Sequence, residues 1–171
     1  MKPANVKIRL KIKKAAIRKY NSYGDEWEKA YFDNYSGGYN VYHNKHQFTK
    51  TGRGGKAEIT VGKMLAKLGK QVEFLAENSF KKGNPDLSFD NTTWDIKYIN
   101  DANIETIRSA IKDARKANNA IFYWDKNDKL EDLKNAVVRS IGYFNKNNTL
   151  VSMPNIYYMN NDGILKHLFI K

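Results

Sequence analysis

The sequence contains no cysteine and only three histidines among its 171 residues. Without cysteine the chain has no disulfide framework, no thiol nucleophile and no zinc site built on cysteine. Three histidines also leave little room for a histidine-rich metal cluster. A metal site in this chain would therefore rest on oxygen ligands, which suit hard cations such as Mg²⁺ or Mn²⁺.

Long apolar runs are also missing. No run approaches the roughly 18 residues that a helix needs to cross a bilayer, and the basic N-terminus lacks the continuous apolar core of a signal peptide. Apolar residues nevertheless make up 41% of the chain and aromatic residues 13%, a content that excludes intrinsic disorder. The length suits one domain with a hydrophobic core and a short extension.

Acidic residues are absent from the first 20 positions, which hold eight lysines and arginines. The whole chain has 30 basic against 18 acidic residues and a formal net charge of +12. Such a surplus suits a polyanionic partner, nucleic acid first and an anionic membrane surface second. Beyond the N-terminal segment the charge is nearly balanced.

The N-terminal third of the chain carries mixed signals. Apolar and basic residues alternate from Val6 to Lys13, which predicts a strand with one basic face, although Ala15–Ile17 could continue as a helix. Such a face either protects a sheet edge or contacts nucleic acid, and both interpretations stay open. Farther along we predict a short helix at 25–33, a glycine turn, a strand at 38–43 and a flexible basic loop at 49–56.

From Lys56 onwards the pattern becomes regular. Apolar residues recur at helical spacing in three segments, which begin at Ala57, Ile104 and Leu130, and Gly69 ends the first of them. Between and after these helices we predict a strand at 72–76, a loop at 78–84, two short strands flanking Asp90-Asn91, a buried strand at 120–124 and a hairpin at 156–170. The expected fold is mixed α+β, with a small central mixed sheet flanked by helices.

The stretch from Gly83 to Tyr98 holds the most informative pattern. Asp90-Asn91 has the chemistry of a two-residue hairpin turn, and such a turn would place Asp86 opposite Asp95. Strand alternation then divides the hairpin into two faces. The apolar face consists of Leu87, Phe89, Trp94, Ile96 and Tyr98, and the polar face consists of Asp86, Ser88, Thr93, Asp95 and Lys97.

Two carboxylates directly opposed on a sheet repel each other, and a pair of this kind usually has a cation between its members. Oxygen ligands suit Mg²⁺ or Mn²⁺. Lys97 points to the same side as Asp95, where it could orient an attacking water or neutralise charge on a phosphate. For Pro85-Asp86 alone, or for Asp95-Ile96-Lys97 alone, an ordinary solvated face is the alternative. Their combination on one face favours a metal site suited to phosphodiester hydrolysis.

Pro85-Asp86 followed by Asp95-Ile96-Lys97 resembles the PD-(D/E)XK nuclease motif. The surrounding order of helix, strand, strand, strand, helix and strand looks like the common core of that superfamily. More narrowly, the chain resembles the tRNase-type C-terminal toxin domains of contact-dependent growth-inhibition systems and related phage and mobile-element modules. That likeness covers residues 36–125 and is carried by GNPD at 83–86, WDIK at 94–97, Ile104–Arg108, Ser36–Tyr39 and Tyr42-His43.

The resemblance implies a basic and aromatic N-terminal extension, residues 1–50, packed on a nuclease core, residues 51–171. It implies an endonuclease dependent on Mg²⁺ or Mn²⁺, in which Asp86 and Asp95 are metal ligands and Lys97 is the catalytic lysine.

Glu58 matches the upstream acid that is frequent in the superfamily, and the resemblance makes it a further metal ligand and catalytic residue. Helical geometry places Glu58 beside Val61 and Leu65, at the edge of the buried stripe, from which it could lean toward the sheet. A surface acid is the alternative for Glu58, and Glu73 and Glu77 are its rivals as a ligand.

The toxin resemblance also implies a biological role. The family resemblance implies that such a domain cuts RNA, with tRNA-like molecules as its substrates. It would act in the cytoplasm of a target bacterial cell, into which it is delivered as part of a larger secreted protein. An acidic immunity protein would cover its basic cleft. Two alternatives stay open: a DNA endonuclease of phage, restriction or mobile-element type, and a non-catalytic nucleic-acid-binding or phage structural module on the same scaffold.

Candidate nucleic-acid contacts come from outside the motif. Two histidines could contact phosphates or donate a proton, with a structural role as the alternative. The predicted helix that begins at Ile104 carries a stripe of basic residues, which would contact backbone phosphates if it lines the cleft. Tyrosines between positions 20 and 42 could stack on bases of single-stranded RNA. The predicted contacts are His43, His46, Arg53, Lys56, Arg108 and Lys112.

Overall fold

The computed structural model describes residues 3–48, 53–77, 84–114, 117–126, 130–147 and 154–169. Within these residues the chain forms four helices: α1 (Pro3–Ser22), α2 (Arg53–Lys67), α3 (Ile104–Ala114) and α4 (Leu130–Asn147). It also forms eight strands: β1 (Trp27–Phe32), β2 (Tyr39–His43), β3 (Gln71–Phe74), β4 (Leu87–Phe89), β5 (Thr92–Tyr98), β6 (Asn119–Tyr123), β7 (Asn155–Met159) and β8 (Lys166–Phe169).

All eight strands belong to one mixed sheet, in which they lie in the order of the chain. Neighbouring strands pair antiparallel except for β2–β3, β5–β6 and β6–β7, which are parallel. The predicted mixed α+β class, with a mixed sheet flanked by helices, is confirmed. The sheet is broad because β1 and β2 extend one edge while β7 and β8 extend the other.

Helix α2 covers one face of the sheet. Its buried residues Val61 and Leu65 pack with Phe74 of β3 and with the apolar residues of β4 and β5. The opposite face is covered in two parts, by α3 and α4 over β6 and β7 and by α1 over β2, where Ala16 contacts the sheet. Beside α1 a groove of about 320 Å³ lies over β3 and β4.

The alternating segment from Val6 to Lys13 lies in α1, so the predicted N-terminal strand is wrong. Lysine, arginine, leucine and alanine are good helix formers, so the local composition also favours a helix. The helix packs on the sheet through Ala16 and Tyr20 near its C-terminal end, whereas Leu10 and Ile12 are exposed.

Two further predictions for the N-terminal third are wrong. Residues 25–33 contain β1 instead of a helix, because Trp27 and Phe32 pair across to β2, where their rings contact His43 and Tyr39. The predicted loop at 49–56 is helical from Arg53 onward, and its first four residues lie outside the described residues.

The other predicted elements are confirmed where the structure describes them. Strand β2 occupies the predicted 38–43 segment, and the three later helices and the strands between them lie where the patterns predict. Gly69, with a φ of +86°, follows the end of α2, as glycine commonly does after a helix. Most of the predicted loop at 78–84 lies outside the described residues. No helix in the described ranges is long and apolar enough to cross a membrane.

Candidate active site

The β4–β5 hairpin has the register expected from its turn. Asp90 and Asn91 have φ values of 51° and 59°, the left-handed values that a two-residue type I′ turn requires. The observed partners are Leu87 with Trp94, Ser88 with Thr93, and Phe89 with Thr92. The predicted apolar face lies against α2, with its residues buried or half-buried. The division of the hairpin into two faces is therefore confirmed.

Asp86 and Asp95 meet on the side of the hairpin that faces away from α2. The Asp86 N–H donates to the Trp94 carbonyl at 3.0 Å, and the Ile96 N–H donates to Asp86 Oδ2 at 2.7 Å. Asp95 is fully buried, and its carboxyl group interacts with that of Asp86. Burial raises the pKa of Asp95, and the interaction with Asp86 raises it further. The neighbouring Lys97 lowers this pKa, but the net result is a pKa of about 7.

Lys97 completes this cluster from the same strand. Its Nζ lies 2.8 Å from Asp95 Oδ2, and a quarter of its side chain (24%) is exposed. Burial lowers the pKa of Lys97, but the charge and hydrogen bond of Asp95 and the charges of Asp86 and Asp113 raise it more, so the net shift is upward. Lys97 is therefore a permanent cation at neutral pH, suited to binding negative charge and unsuited to accepting a proton.

The chemistry of this donor set fits a hard divalent cation. Two carboxyl groups in contact at a buried position share a proton or need a cation between them, and carboxylate oxygens are the ligands that Mg²⁺ and Mn²⁺ prefer. In the described part of the chain, no group of three or more acidic, histidine or cysteine residues is arranged to hold an ion. Asp86 and Asp95 would therefore supply two ligands, and Mg²⁺ usually keeps several waters in addition.

Glu58 is paired with His46. Glu58 lies on α2 and is largely buried, and its Oε2 is 3.1 Å from His46 Nε2, while His46 Nδ1 is 2.9 Å from the Leu75 carbonyl oxygen. A carbonyl only accepts, and so does an ionised carboxylate, so a charged imidazolium satisfies both contacts. Burial lowers the pKa of His46, but these partners raise it more, so that the net shift is upward.

The His46–Glu58 pair is linked to Asp86 through the backbone of Leu75, which follows β3. Leu75 accepts from His46 through its carbonyl, and the Leu75 N–H donates to the Asp86 carbonyl at 2.9 Å. A chain of hydrogen bonds through His46 and the Leu75 backbone therefore connects Glu58 to Asp86, and the charge of Glu58 is matched by His46. The role of Glu58 as a metal ligand stays a prediction.

The two rival acids have other partners. Glu73 of β3 accepts a hydrogen bond from the Tyr23 hydroxyl and forms an ion pair with Lys19 of α1 at 3.1 Å. It pairs with Ser88 across β3 and β4, and both residues line the groove beside α1. Glu77 donates its N–H to the Lys45 carbonyl at 3.2 Å, past the end of β3.

The predicted nucleic-acid contacts are dispersed. His43 ends β2 with its ring edge-on to Trp27 at 5.0 Å, and its Nδ1 accepts from the Lys45 N–H at 3.1 Å. Lys56 is exposed in the first turn of α2. Arg53 begins α2, and its side chain lies outside the described part of the chain.

The basic residues of α3 differ in their surroundings. The Arg108 guanidinium lies 3.8 Å from the centre of the Tyr143 ring on α4, so it stabilises the contact between the two helices. Lys112 is exposed and directly precedes Asp113, whose charge acts on Lys97. The two positions predicted as one stripe therefore have separate roles.

Asp113 is an acid near the cluster that the sequence does not indicate. It lies on α3, which packs on the same side of the sheet as Lys97, and its charge is among those that raise the pKa of Lys97. An acid on the polar face of an amphipathic helix is ordinary, and only the packing of α3 against β5 gives it a neighbour. No signal in the sequence could have found it.

Comparisons of the chain with family models, with curated proteins and with solved structures give no significant match.

Proposed function

We propose that the chain is a metal-dependent endonuclease with a PD-(D/E)XK-like core, which hydrolyses phosphodiester bonds. The observation that carries the proposal is the cluster of Asp86, Asp95 and Lys97, in which Asp86 raises the pKa of the buried Asp95 carboxyl group and the Lys97 ammonium group lies 2.8 Å from that carboxyl group. The order of α2, β3, β4, β5, α3 and β6 around the cluster supports it, since the superfamily core has the same order.

Each residue of the cluster has a distinct role in this proposal. Asp86 and Asp95 would hold Mg²⁺ or Mn²⁺, which supplies Lewis acidity toward the phosphoryl group and a more acidic water. Lys97 is fixed by its ion pair with Asp95 and places positive charge where the transition state gains negative charge. Burial of Asp95 strengthens these electrostatic interactions because water is excluded around it.

Helix α1 supports a nucleic-acid substrate. Lys11, Lys14 and Arg18 are exposed, and their spacing places them along one side of the helix. Lys19 of the same helix lines the groove over β3 and β4. No acid precedes Asp25, so these cations would attract a phosphate backbone beside the hairpin.

RNA is the proposed substrate class, with a tRNA-like molecule as its expected form, because the chain resembles tRNase-type toxin domains. On the same resemblance we propose that the chain acts as a bacterial toxin domain in the cytoplasm of a target cell, delivered as part of a larger secreted protein. An acidic immunity protein that covers the basic surface would protect the producing cell.

Cleavage assays test the proposal. The purified chain should cut tRNA with Mg²⁺ and not with EDTA, and Asp95→Ala and Lys97→Ala should each reduce cutting by at least about 100-fold. Lys146→Ala, at an exposed position near the end of α4, is the matched control and should cut normally.

Single-stranded and duplex DNA are tested beside tRNA. Cutting that persists in EDTA and in both variants would contradict the metal site. Cutting of DNA alone would identify a DNA endonuclease, and binding without cutting would identify a non-catalytic module.

A further inference from the structure

A second cavity lies on the α2 side of the sheet, where β5 and β6 end. It has a volume of about 590 Å³ and is lined by Lys56, Ala57, Thr60, Tyr98, Tyr123, Asp125 and Lys126. Ligand pockets have volumes of about 300–1,000 Å³ and combine aromatic surface with a few polar groups. The cavity meets both criteria and lies outside the Asp86–Asp95–Lys97 cluster.

Two tyrosines give the cavity a fixed aromatic wall. Tyr98 and Tyr123 are partners on the parallel strands β5 and β6, with ring centres 6.2 Å apart. The Tyr98 hydroxyl donates to Asp125 Oδ2 at 3.1 Å, and the Tyr123 hydroxyl donates to Asn161 Oδ1 at 2.7 Å. Tyr98 is half-buried and Tyr123 mostly buried, so the exposed part of the Tyr98 ring is the available stacking surface.

The charged residues around this wall favour an anionic ligand. Lys56 and Lys126 are both exposed and line the cavity, Lys56 from α2 and Lys126 from the segment after β6. The Lys126 ammonium group donates one hydrogen bond to the Asn100 carbonyl oxygen at 2.5 Å and keeps further donors for a phosphate. The acid in the lining, Asp125, accepts the Tyr98 hydroxyl. A cavity lined by an aromatic surface and two lysines suits a nucleotide, whose base stacks while its phosphates lie near the ammonium groups.

The cavity is adjacent to the hydrolytic cluster through one strand. Lys97 and Tyr98 are consecutive residues of β5, so their side chains leave the strand toward opposite faces from Cα atoms about 3.8 Å apart. A single strand of nucleic acid that passes the end of β5 can therefore place one phosphate near Lys97 and a neighbouring base near Tyr98.

We infer that the cavity binds one unpaired nucleobase of the substrate strand by stacking on Tyr98, with the adjacent phosphates held by Lys56 and Lys126. The inference rests on the proposed function for the identity of the ligand, but it concerns residues that have no part in hydrolysis. A site of this kind would select single-stranded over duplex nucleic acid, because a base must be unpaired to enter.

Binding of a fluorescein-labelled RNA of about eight nucleotides, measured by anisotropy in EDTA, tests the inference. Tyr98→Ala should weaken binding about 10-fold, whereas Tyr98→Phe, which keeps the ring, should remain within about twofold of the native protein. Tyr35→Ala is the matched control, because Tyr35 is 78% exposed elsewhere on the chain. In a plot of the logarithm of the binding constant against the logarithm of the salt concentration, Lys126→Ala should reduce the slope by about one released ion. Lys146→Ala should leave the slope unchanged.

Photo-crosslinking of the native chain to an RNA that carries 5-iodouridine needs no variant. Crosslinks at Tyr98 or Tyr123 would support the site. Crosslinks confined to other residues, no RNA binding, or unchanged binding in Tyr98→Ala would overturn it. If the chain cleaves RNA but Tyr98→Ala binds RNA normally, this inference alone is contradicted. If Tyr98 contributes to RNA binding but the chain cleaves no RNA, only the proposed function is contradicted.

Discussion

Asp95→Asn should reduce metal-dependent cleavage by at least about 100-fold and should still make the chain more stable than the native protein at pH 8 in EDTA. The loss of activity is expected because the amide is neutral, so it neither attracts a divalent cation as a carboxylate does nor holds Lys97 in an ion pair. The gain in stability is expected because the native residue is a fully buried acid in contact with a second acid.

The sign of the stability effect follows from the pKa of Asp95. The pKa rises from its ordinary value of 3.8 to about 7 on folding, so the folded state favours the protonated acid. This contribution to stability is fully present below pH 4 and is lost as the pH rises through 7. At pH 8 the cost of the ionised group reaches at most about 4 kcal/mol, at about 1.4 kcal/mol per pKa unit.

Thermal unfolding in EDTA measures this effect. Asp95→Asn should melt about 3–10 °C above the native protein at pH 8, and the difference should shrink toward pH 4. Asp132→Asn makes the same change at an exposed position of α4 and should leave both cleavage and this pH dependence unchanged. An Asp95→Asn variant that is less stable than the native chain at pH 8 would contradict the account of a strained carboxyl pair.

Gly38→Ala should destabilise the fold by at least about 3 kcal/mol. A Cβ at Gly38 would lie 2.0 Å from the carbonyl oxygen of Ala66 and 2.8 Å from that of Lys70, and both are backbone atoms that cannot rotate away. The same Ala66 oxygen accepts the Ser36 hydroxyl at 2.7 Å. Strand β2 would therefore have to move away from the end of α2, and the hydrogen bond from the Ser36 hydroxyl to the Ala66 carbonyl would be broken.

Gly142→Ala is the matched control for this prediction. Gly142 lies inside α4, and no atom lies within 4 Å of an added Cβ, so alanine should stabilise the helix by about 0.5–1 kcal/mol. Urea unfolding monitored by circular dichroism measures both variants. If both variants change the free energy of unfolding by the same amount, the close contact between β2 and the end of α2 is contradicted.

The hairpin that carries the proposed active site could be predicted because its signals are local. A two-residue turn fixes the register, and alternation then fixes which side chains share a face. Asp90 and Asn91 adopt the φ values that the turn requires, and the apolar face is buried against α2. That register brings Asp86, which directly precedes β4, next to β5, where the Ile96 N–H donates to its carboxylate.

The N-terminal third could not be predicted in this way because its structure depends on distant partners. Alternation in Val6–Lys13 is typical of a strand, yet the segment is a helix that packs on the sheet through Ala16 and Tyr20. The strand character of residues 27–32 depends on pairing with β2. In both cases tertiary contacts decide between local alternatives that the sequence leaves close in energy.

The surroundings of the active site depend on the same long-range packing. The resemblance predicts Glu58 to be an upstream metal-binding acid, but His46, which lies 12 residues earlier, is its observed partner. Asp113 acts on Lys97 only because α3 packs beside β5. Both pairings require the complete sheet, so no spacing rule within the sequence would reveal them.

Titration of the native chain with Mn²⁺, followed by electron paramagnetic resonance of the free ion, tests the central claim most directly. The account predicts one bound ion per chain. It also predicts that Asp86→Asn and Asp95→Asn each weaken binding by more than the roughly 10–100-fold that the loss of an outer-shell partner costs, while Asp132→Asn binds normally. A native chain that binds no ion, or an Asp95→Asn variant that binds it as tightly as the native chain, would contradict the account.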